Sequence, residues 1–262
     1  MVFIENIFLI GDLHGSFKPV RSFAERYINL KKIDNNVLIC LGDFGGNFFF
    51  DYRDENFKEK LGKYNFTYFV IRGNHEERPS LCMERKPSKW HIENYFENKV
   101  YVENDYPYIK YALDFPSFYN IGGYETFIFP GAYSVDKFRR IQLNWSWFPA
   151  EQLTKEEMDL GLQMVESHKN KCDLILSHTC PIGYEPTDLF MSTIDQSMVD
   201  KTMERYLDFI EHEVDYKIWL WGHFHEFRDY SRLDGKAKIM LSAGNEVVEL
   251  NQIMRNSIVE RI

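Results

Sequence analysis

The chain has 262 residues, a formal net charge of -9 and 44% hydrophobic residues. This acidic balance argues against a general nucleic-acid coat protein, whose footprint is a basic surface, although a local cationic cleft would still suit a nuclease. The four cysteines show no paired metal-binding spacing and no disulfide framework. No apolar run approaches the ~20 residues of a membrane span, and the segment before Asp12 is too short for a signal peptide. We therefore expect a cytoplasmic protein without a membrane partner.

Five short apolar runs are each predicted to form a strand that is covered on both faces. Each leads into a glycine or a serine and then into a polar residue that can bind a metal ion. This repetition is the main organising feature of the sequence. The five runs cover residues 6–10, 37–41, 67–71, 174–176 and 217–221.

Helical patterns separate the early strands. Apolar residues recur at helical spacing over residues 17–28, with Ser16 as the candidate N-cap, and a weaker pattern follows over residues 57–64. Alternation of strands and helices implies right-handed crossovers and a partly parallel sheet. Because sites in such sheets form beyond the carboxyl ends of the strands, we expect the polar residues to converge at one edge.

The middle and the second half of the chain differ in pattern. Residues 100–134 are rich in aromatic residues and broken by Pro and Gly, which predicts hairpins of a second sheet. Thr154 and Glu157 fit a capping box for a helix over residues 154–168, and another helix is predicted over residues 197–213. No domain boundary is predicted, so residues 1–262 are interpreted as a single domain.

Eight polar residues lie at or just past the ends of apolar runs, and five of them belong to the eight histidines of the chain. Each motif alone has an ordinary alternative: Asp12 would cap the next helix, and His223 and His225 would be surface residues. Alternate residues of an extended segment nevertheless share one side and can share a metal ion. The joint pattern favours a metal centre. The eight residues are Asp12, His14, Asp43, Asn74, His75, His178, His223 and His225.

Five sequence motifs together resemble the calcineurin-like metallophosphoesterase family, in the order in which that family carries them. They are Gly-Asp-Leu-His-Gly at 11–15, Gly-Asp at 42–43, Gly-Asn-His-Glu at 73–76, His178, and Gly-His-Phe-His at 222–225. The resemblance implies an α/β fold, a four-layer α/β/β/α sandwich of two mixed β-sheets flanked by helices. It also implies a dinuclear-metal phosphoesterase that hydrolyses phosphate mono- or diesters by attack of a metal-bridging hydroxide.

The resemblance further implies two sets of metal ligands that share Asp43. The first set is Asp12, His14, Asp43 and His225, and the second is Asp43, Asn74, His178 and His223. Mixed imidazole and carboxylate ligands suit Mn, Fe, Zn or Ni better than Ca, so we expect two divalent transition-metal ions, with Mn as the first choice. His75 resembles the family histidine that contacts the phosphate and protonates the leaving oxygen, and the alternative is that it only orients a neighbour.

One departure from the family pattern concerns the grip on the substrate. Residues 42–47 read Gly-Asp-Phe-Gly-Gly-Asn, without the arginine that serine/threonine phosphatases of the family carry after this motif. Lys137, Arg139 and Arg140 are predicted to supply a substitute cation, and a solvated basic turn is the alternative. The aromatic residues at 145–148 would suit stacking on a nucleobase, but packing in the core or a lid is favoured.

The leading interpretation is a phosphoesterase with a small or nucleotide-like substrate. The alternatives are a phosphodiesterase or nuclease that acts on nucleic acid, and a catalytically silent scaffold of the same fold. A scaffold would be indicated by the loss of a ligand or of His75, and neither is lost. The sequence leaves the oligomeric state open.

Overall fold

The computed structural model of the protein describes residues 6–27, 35–230, 237–241 and 247–256. Within these ranges it contains two mixed β-sheets flanked by helices, which confirms the predicted fold class. The strands are β1 (Asn6–Ile10), β2 (Asn36–Leu41), β3 (Thr67–Ile71), β4 (Trp90–Tyr95), β5 (Asn98–Glu103), β6 (Ile109–Tyr111), β7 (Ser117–Ile121), β8 (Tyr124–Phe129), β9 (Leu174–Ser177), β10 (Ile218–Trp221), β11 (Arg228–Asp229), β12 (Ala237–Met240) and β13 (Val248–Glu249).

Six of the seven described α-helices lie between these strands in the chain, and the seventh follows β13. None of them is long and apolar enough to cross a membrane. They are α1 (Lys18–Arg26), α2 (Tyr52–Leu61), α3 (Pro79–Arg85), α4 (Lys137–Gln142), α5 (Lys155–Ser167), α6 (Thr202–Glu213) and α7 (Leu250–Asn256).

The strand order places the predicted site strands next to one another. In the described ranges the first sheet runs β13-β1-β2-β3-β6-β5-β4 and the second runs β11-β12-β10-β9-β8-β7. Strands β1, β2 and β3 pair in parallel, and so do β8, β9 and β10. The carboxyl ends of the central strands in each sheet therefore point to one edge of that sheet.

Three apolar layers fill the spaces between the elements. Alternate residues of β1 face different layers: Ile7 and Leu9 pack in the central layer with Leu174 and Leu220 of the second sheet, whereas Phe8 packs in an outer layer that includes residues of α1 and α2. The third layer joins the second sheet to α5 and α6. This is the order helices, sheet, sheet, helices. Full burial on both faces explains why these strands read as unbroken apolar runs.

Several predicted elements are confirmed. The five apolar runs form β1, β2, β3, β9 and β10, and α5 begins at the predicted capping box: Thr154 accepts from the backbone of Glu157, whose side chain accepts from the backbone of Thr154. The four cysteines are free and buried.

Three details of the prediction are wrong. The N-cap of α1 is Phe17, not Ser16, and it makes no side-chain capping bond. Helix α6 begins at Thr202, because residues 196–198 form a separate 3-10 turn. Residues 98–111 belong to the first sheet, since β6 pairs in parallel with β3, and within the described residues 100–134 only β7 and β8 form a hairpin of the second sheet. Ile28, in the predicted first helix, lies outside the described residues.

Candidate metal centre

The eight polar residues singled out in the sequence lie together where the central strands of both sheets end. Hydrogen bonds and close contacts connect residues that are far apart in the chain: the backbone of His223 donates to Asp12, and His14 lies against His225. Asp12 and His14 follow β1, Asp43 follows β2, Asn74 and His75 follow β3, His178 follows β9, and His223 and His225 follow β10.

Four of these residues adopt left-handed backbone conformations. The φ angles are 47° at His14, 47° at Asp43, 73° at His223 and 57° at His225. Residues other than glycine seldom adopt such angles, although asparagine, aspartate and histidine do so more often than the rest, and each instance costs on the order of 1–3 kcal/mol. Such strain persists where the surroundings fix the conformation, and it concentrates at functional sites.

The glycines that precede the polar residues leave room for neighbouring side chains. A Cβ atom on Gly42 would lie 1.9 Å from Nδ1 of His178, and one on Gly73 would lie 2.1 Å from Oδ1 of Asp43. These distances are far shorter than van der Waals contact. The repeated glycine in front of a ligand residue therefore allows loops from different strands to approach closely.

The first ligand set brings Asp12, His14, Asp43 and His225 together. One ligand atom from each residue lies within 4.8 Å of the others. Nε2 of His14 is 2.9 Å from Nε2 of His225 and 3.7 Å from Oδ2 of Asp43. Two nitrogen ligands at right angles on one ion, with bonds of about 2.1 Å, lie about 3.0 Å apart. Two carboxylates and two imidazoles in this arrangement fit one transition-metal ion.

The second ligand set is centred on His178. Its Nδ1 lies 2.8 Å from the carbonyl oxygen of Leu41, which can only accept, so Nδ1 carries a proton. Its Nε2 faces Oδ1 of Asn74 at 2.8 Å and Oδ1 of Asp43 at 3.5 Å. Nδ2 of Asn74 donates to the hydroxyl of Ser134, which orients the amide oxygen toward His178.

Burial and neighbouring charges set the protonation of these residues. Burial lowers the pKa of His223 well below its usual range, so its ring is neutral at pH 7, the form that binds metal ions. Burial raises the pKa of Asp12 to about 6. Burial also opposes charge on His178, but the carboxylates of Asp43 and Asp12 outweigh it and raise the pKa of His178 to about 9. The negative charges of these carboxylates thus favour a positive charge at the centre, such as a protonated imidazole or a metal ion.

Asp43 lies between the two sets. Its Oδ2 faces His14 of the first set, its Oδ1 faces His178 of the second set, and Oδ1 also accepts from the backbone of His75 at 2.8 Å. The loop that carries Asp43 is attached to the next one by Glu76, a buried residue that accepts from the backbones of Phe44 and Gly45, both at 3.4 Å, and from that of Gly73 at 2.9 Å. Glu76 therefore has a structural role in fixing the centre.

The centre opens into a cavity of about 440 Å³. His75 and Arg140 line it together, whereas Lys137 and Arg139 do not. The ammonium of Lys137 lies 4.6 Å from the ring of Trp147, and the guanidinium of Arg139 lies 5.8 Å from the ring of Trp145. Of the three cations named from the sequence, Arg140 alone faces the cavity in the described part of the chain.

The aromatic residues at 145–148 have different surroundings. Phe148 is buried, and the indole of Trp147 donates to Glu151 at 2.8 Å, which agrees with the favoured packing role. Trp145, in contrast, is 53% exposed, so the packing role does not extend to this residue.

The wall of the cavity opposite the metal centre was not predicted. It comes from residues 185–204, which form two short 3-10 turns and the start of α6. Glu204 in this wall is buried, and burial raises its pKa to about 7. The available sequence signal was a cluster of apolar residues at 189–194 in a segment without helical or strand periodicity.

Comparisons with known proteins identify the family and support the fold. The profile of the calcineurin-like phosphoesterase family matches residues 6–227. The protein TT1561 of Thermus thermophilus is similar with a TM-score of 0.54 and 13% identity, covering 98% of this chain and 97% of that one. A dimetal phosphatase from Danio rerio is similar with a TM-score of 0.51 and 10% identity, covering 95% and 92%. At such identities these likenesses show the fold.

No match was found among curated protein sequences. The family profile covers most of the chain and spans every motif from Asp12 to His225. The chain therefore belongs to the calcineurin-like phosphoesterase family.

Proposed function

We propose that this protein hydrolyses phosphate mono- or diesters of a small or nucleotide-like substrate, with two divalent transition-metal ions. The observation that carries the proposal is the position of Asp43, whose two carboxylate oxygens face different ligand sets. Mixed imidazole and carboxylate ligands suit Mn, Fe, Zn and Ni. Of these ions, Mn is our first choice. We place the enzyme in the cytoplasm and treat residues 1–262 as one domain.

The chemistry divides between the metals and the residues of the chain. Two bound ions would lower the pKa of a shared water molecule and neutralise the phosphoryl oxygens. His75 would touch the phosphate and donate a proton to the leaving oxygen. Its ring nitrogens have no hydrogen-bond partner among the described residues, and it lines the cavity beside Asp43. Arg140 would hold a phosphoryl oxygen from the other side.

The test is hydrolysis with defined metal content. We expect metal-free protein to be inactive toward 4-nitrophenyl phosphate, bis(4-nitrophenyl) phosphate and cyclic nucleotides, and Mn to restore hydrolysis of at least one of them. Ni, Zn and Mg serve as comparison metals. Full activity after chelation would contradict the proposal, whereas metal binding without hydrolysis of any phosphate ester would indicate a scaffold.

A second candidate function is hydrolysis of single-stranded nucleic acid. Trp145 is 53% exposed and the Arg139 guanidinium lies 5.8 Å from its ring, an arrangement that suits stacking on a base beside a phosphate. Single-stranded DNA and RNA therefore belong in the same assay.

The role proposed for Arg140 gives a matched pair of variants. Nε of Arg140 donates to both carboxylate oxygens of Asp136, at 2.7 and 2.8 Å, and Nη1 donates to the carbonyl of Ser146, which leaves Nη2 for a ligand. A charge-assisted contact of about 1.5–3 kcal/mol corresponds to about tenfold or more, so Arg140→Ala should lower kcat/KM by that factor with unchanged metal content.

Arg139→Ala is the matched control, because Arg139 is exposed and does not line the cavity. Its kinetics with small phosphate esters should stay near those of the wild type. Equal losses in both variants, or no loss in Arg140→Ala, would contradict the role of Arg140.

A further inference from the structure

Half of the side chains that residues 185–204 contribute to the cavity wall are apolar. The cavity of about 440 Å³ is in the size range of sites for small organic ligands. Met191 is 54% exposed and Leu189 is 39% exposed, so large apolar groups face open space there. The apolar residues of this wall are Leu189, Phe190, Met191, Ile194 and Val199.

The charged groups around these apolar residues are mostly paired. Nζ of Lys201 donates to Glu185 at 2.6 Å and lies 4.7 Å from the ring of Phe190. Asp200 accepts from the backbone of Thr202 at 2.9 Å and from Nε2 of Gln152 at 3.0 Å. Away from the metal centre, four carboxylates and two cations line the cavity. These are Asp136, Glu185, Asp200 and Glu204, with Arg140 and Lys201.

Glu204 is the exception to this pairing. Its Oε1 accepts from the hydroxyl of Thr179 at 2.8 Å, whereas Oε2 has no hydrogen-bond partner in the described part of the chain. The residue is only 4% exposed and lines the cavity. Because buried polar atoms are almost always hydrogen-bonded, an unpartnered carboxylate oxygen at a cavity wall indicates a missing donor.

We propose that residues 185–204 bind the alcohol part of the phosphate ester, and that this part is an apolar group bearing an amine whose N–H reaches Oε2 of Glu204. The inference rests on the proposed function, since the phosphate itself would lie at the metal centre. A second anionic group, such as the next phosphate of a polynucleotide, would meet an excess of carboxylates in this wall.

The test compares alcohols of graded chemistry. Phosphate monoesters of ethanol, 2-phenylethanol and 2-[4-(aminomethyl)phenyl]ethanol, and the 4-nitrophenyl diesters of the same alcohols, are assayed with Mn-loaded protein. We expect kcat/KM to rise about tenfold from ethyl to phenylethyl and about tenfold again with the amine. Calorimetric titration of the free alcohols measures binding without turnover and should give the same order.

Three variants locate the effect. Glu204→Gln keeps an acceptor for Thr179 and should remove the advantage of the amine while it retains that of the phenyl group. Met191→Ala should reduce the advantage of the phenyl group in kcat/KM about fourfold, the factor that corresponds to burial of about one methylene group less. Met198→Ala is the matched control in the same segment, since Met198 is 68% exposed and does not line the cavity.

The outcomes separate this inference from the proposed function. Turnover of 4-nitrophenyl phosphate with equal preference for all three alcohols would overturn the inference alone. A preference that persists unchanged in both Met191→Ala and Glu204→Gln would also overturn it, as would a preference for single-stranded nucleic acid. If no ester is hydrolysed, the proposed function fails, and the calorimetric order of the alcohols still decides the inference.

Discussion

Asp43→Asn is expected to lower kcat by at least about a thousandfold and to weaken binding of both metal ions. Each carboxylate oxygen of Asp43 faces a different ligand set, and the amide nitrogen of asparagine cannot act as a ligand. Loss of metal stabilisation of the transition state amounts to several kcal/mol, and about 4 kcal/mol is a factor of a thousand. Metal analysis and steady-state kinetics on the same preparation measure both effects.

The substitution should leave the fold intact. Asparagine tolerates the left-handed conformation at φ 47°, and removal of one charge relieves repulsion from the buried Asp12. Asp114→Asn is the matched control, because Asp114 is equally buried but does not line the cavity. Full metal content in Asp43→Asn would contradict the bridging role.

His75→Asn is expected to retain both metals and to lower the rate by about 10²–10⁴-fold for esters with poor leaving groups. The loss should shrink for 4-nitrophenyl esters, because nitrophenolate departs with little need for protonation. Burial lowers the pKa of His75, and the negative charge of a bound phosphate would oppose that shift by favouring the imidazolium.

The leaving groups provide the internal control for this variant. Equal losses for alkyl and 4-nitrophenyl esters would argue against proton donation and for the alternative that His75 only positions the phosphate. Loss of a metal ion in His75→Asn would contradict the assignment of His75 as a residue that does not bind the metal ions.

The core of the site was predictable because its signal is local. A strand buried on both faces reads as an unbroken apolar run, and the glycine and polar residue after it mark where the run ends. Parallel pairing of β1, β2 and β3 then brings those ends to one edge of the sheet. The pattern at the end of each run, together with parallel pairing of the strands, therefore predicts that Asp12, Asp43 and His75 lie close together.

Other features depend on long-range contacts that no local pattern encodes. Residues 98–111 are rich in apolar and aromatic residues that strands of either sheet could carry, and their place follows from the pairing of β6 with β3. Lys137, Arg139 and Arg140 share one short helix, and only its orientation decides that Arg140 faces the cavity. The part of the wall at 185–194 has no helical or strand periodicity, since its apolar residues face a cavity rather than a sheet or a helix.

The most direct test of the two-metal account is the number and spacing of bound Mn ions. Metal-free protein is reconstituted with Mn, freed of excess, and examined by elemental analysis and electron paramagnetic resonance. We expect two Mn ions per chain and an exchange-coupled spectrum, because ions that share a carboxylate lie about 3.5–4 Å apart. A single Mn ion per chain with the spectrum of an isolated ion would contradict the account.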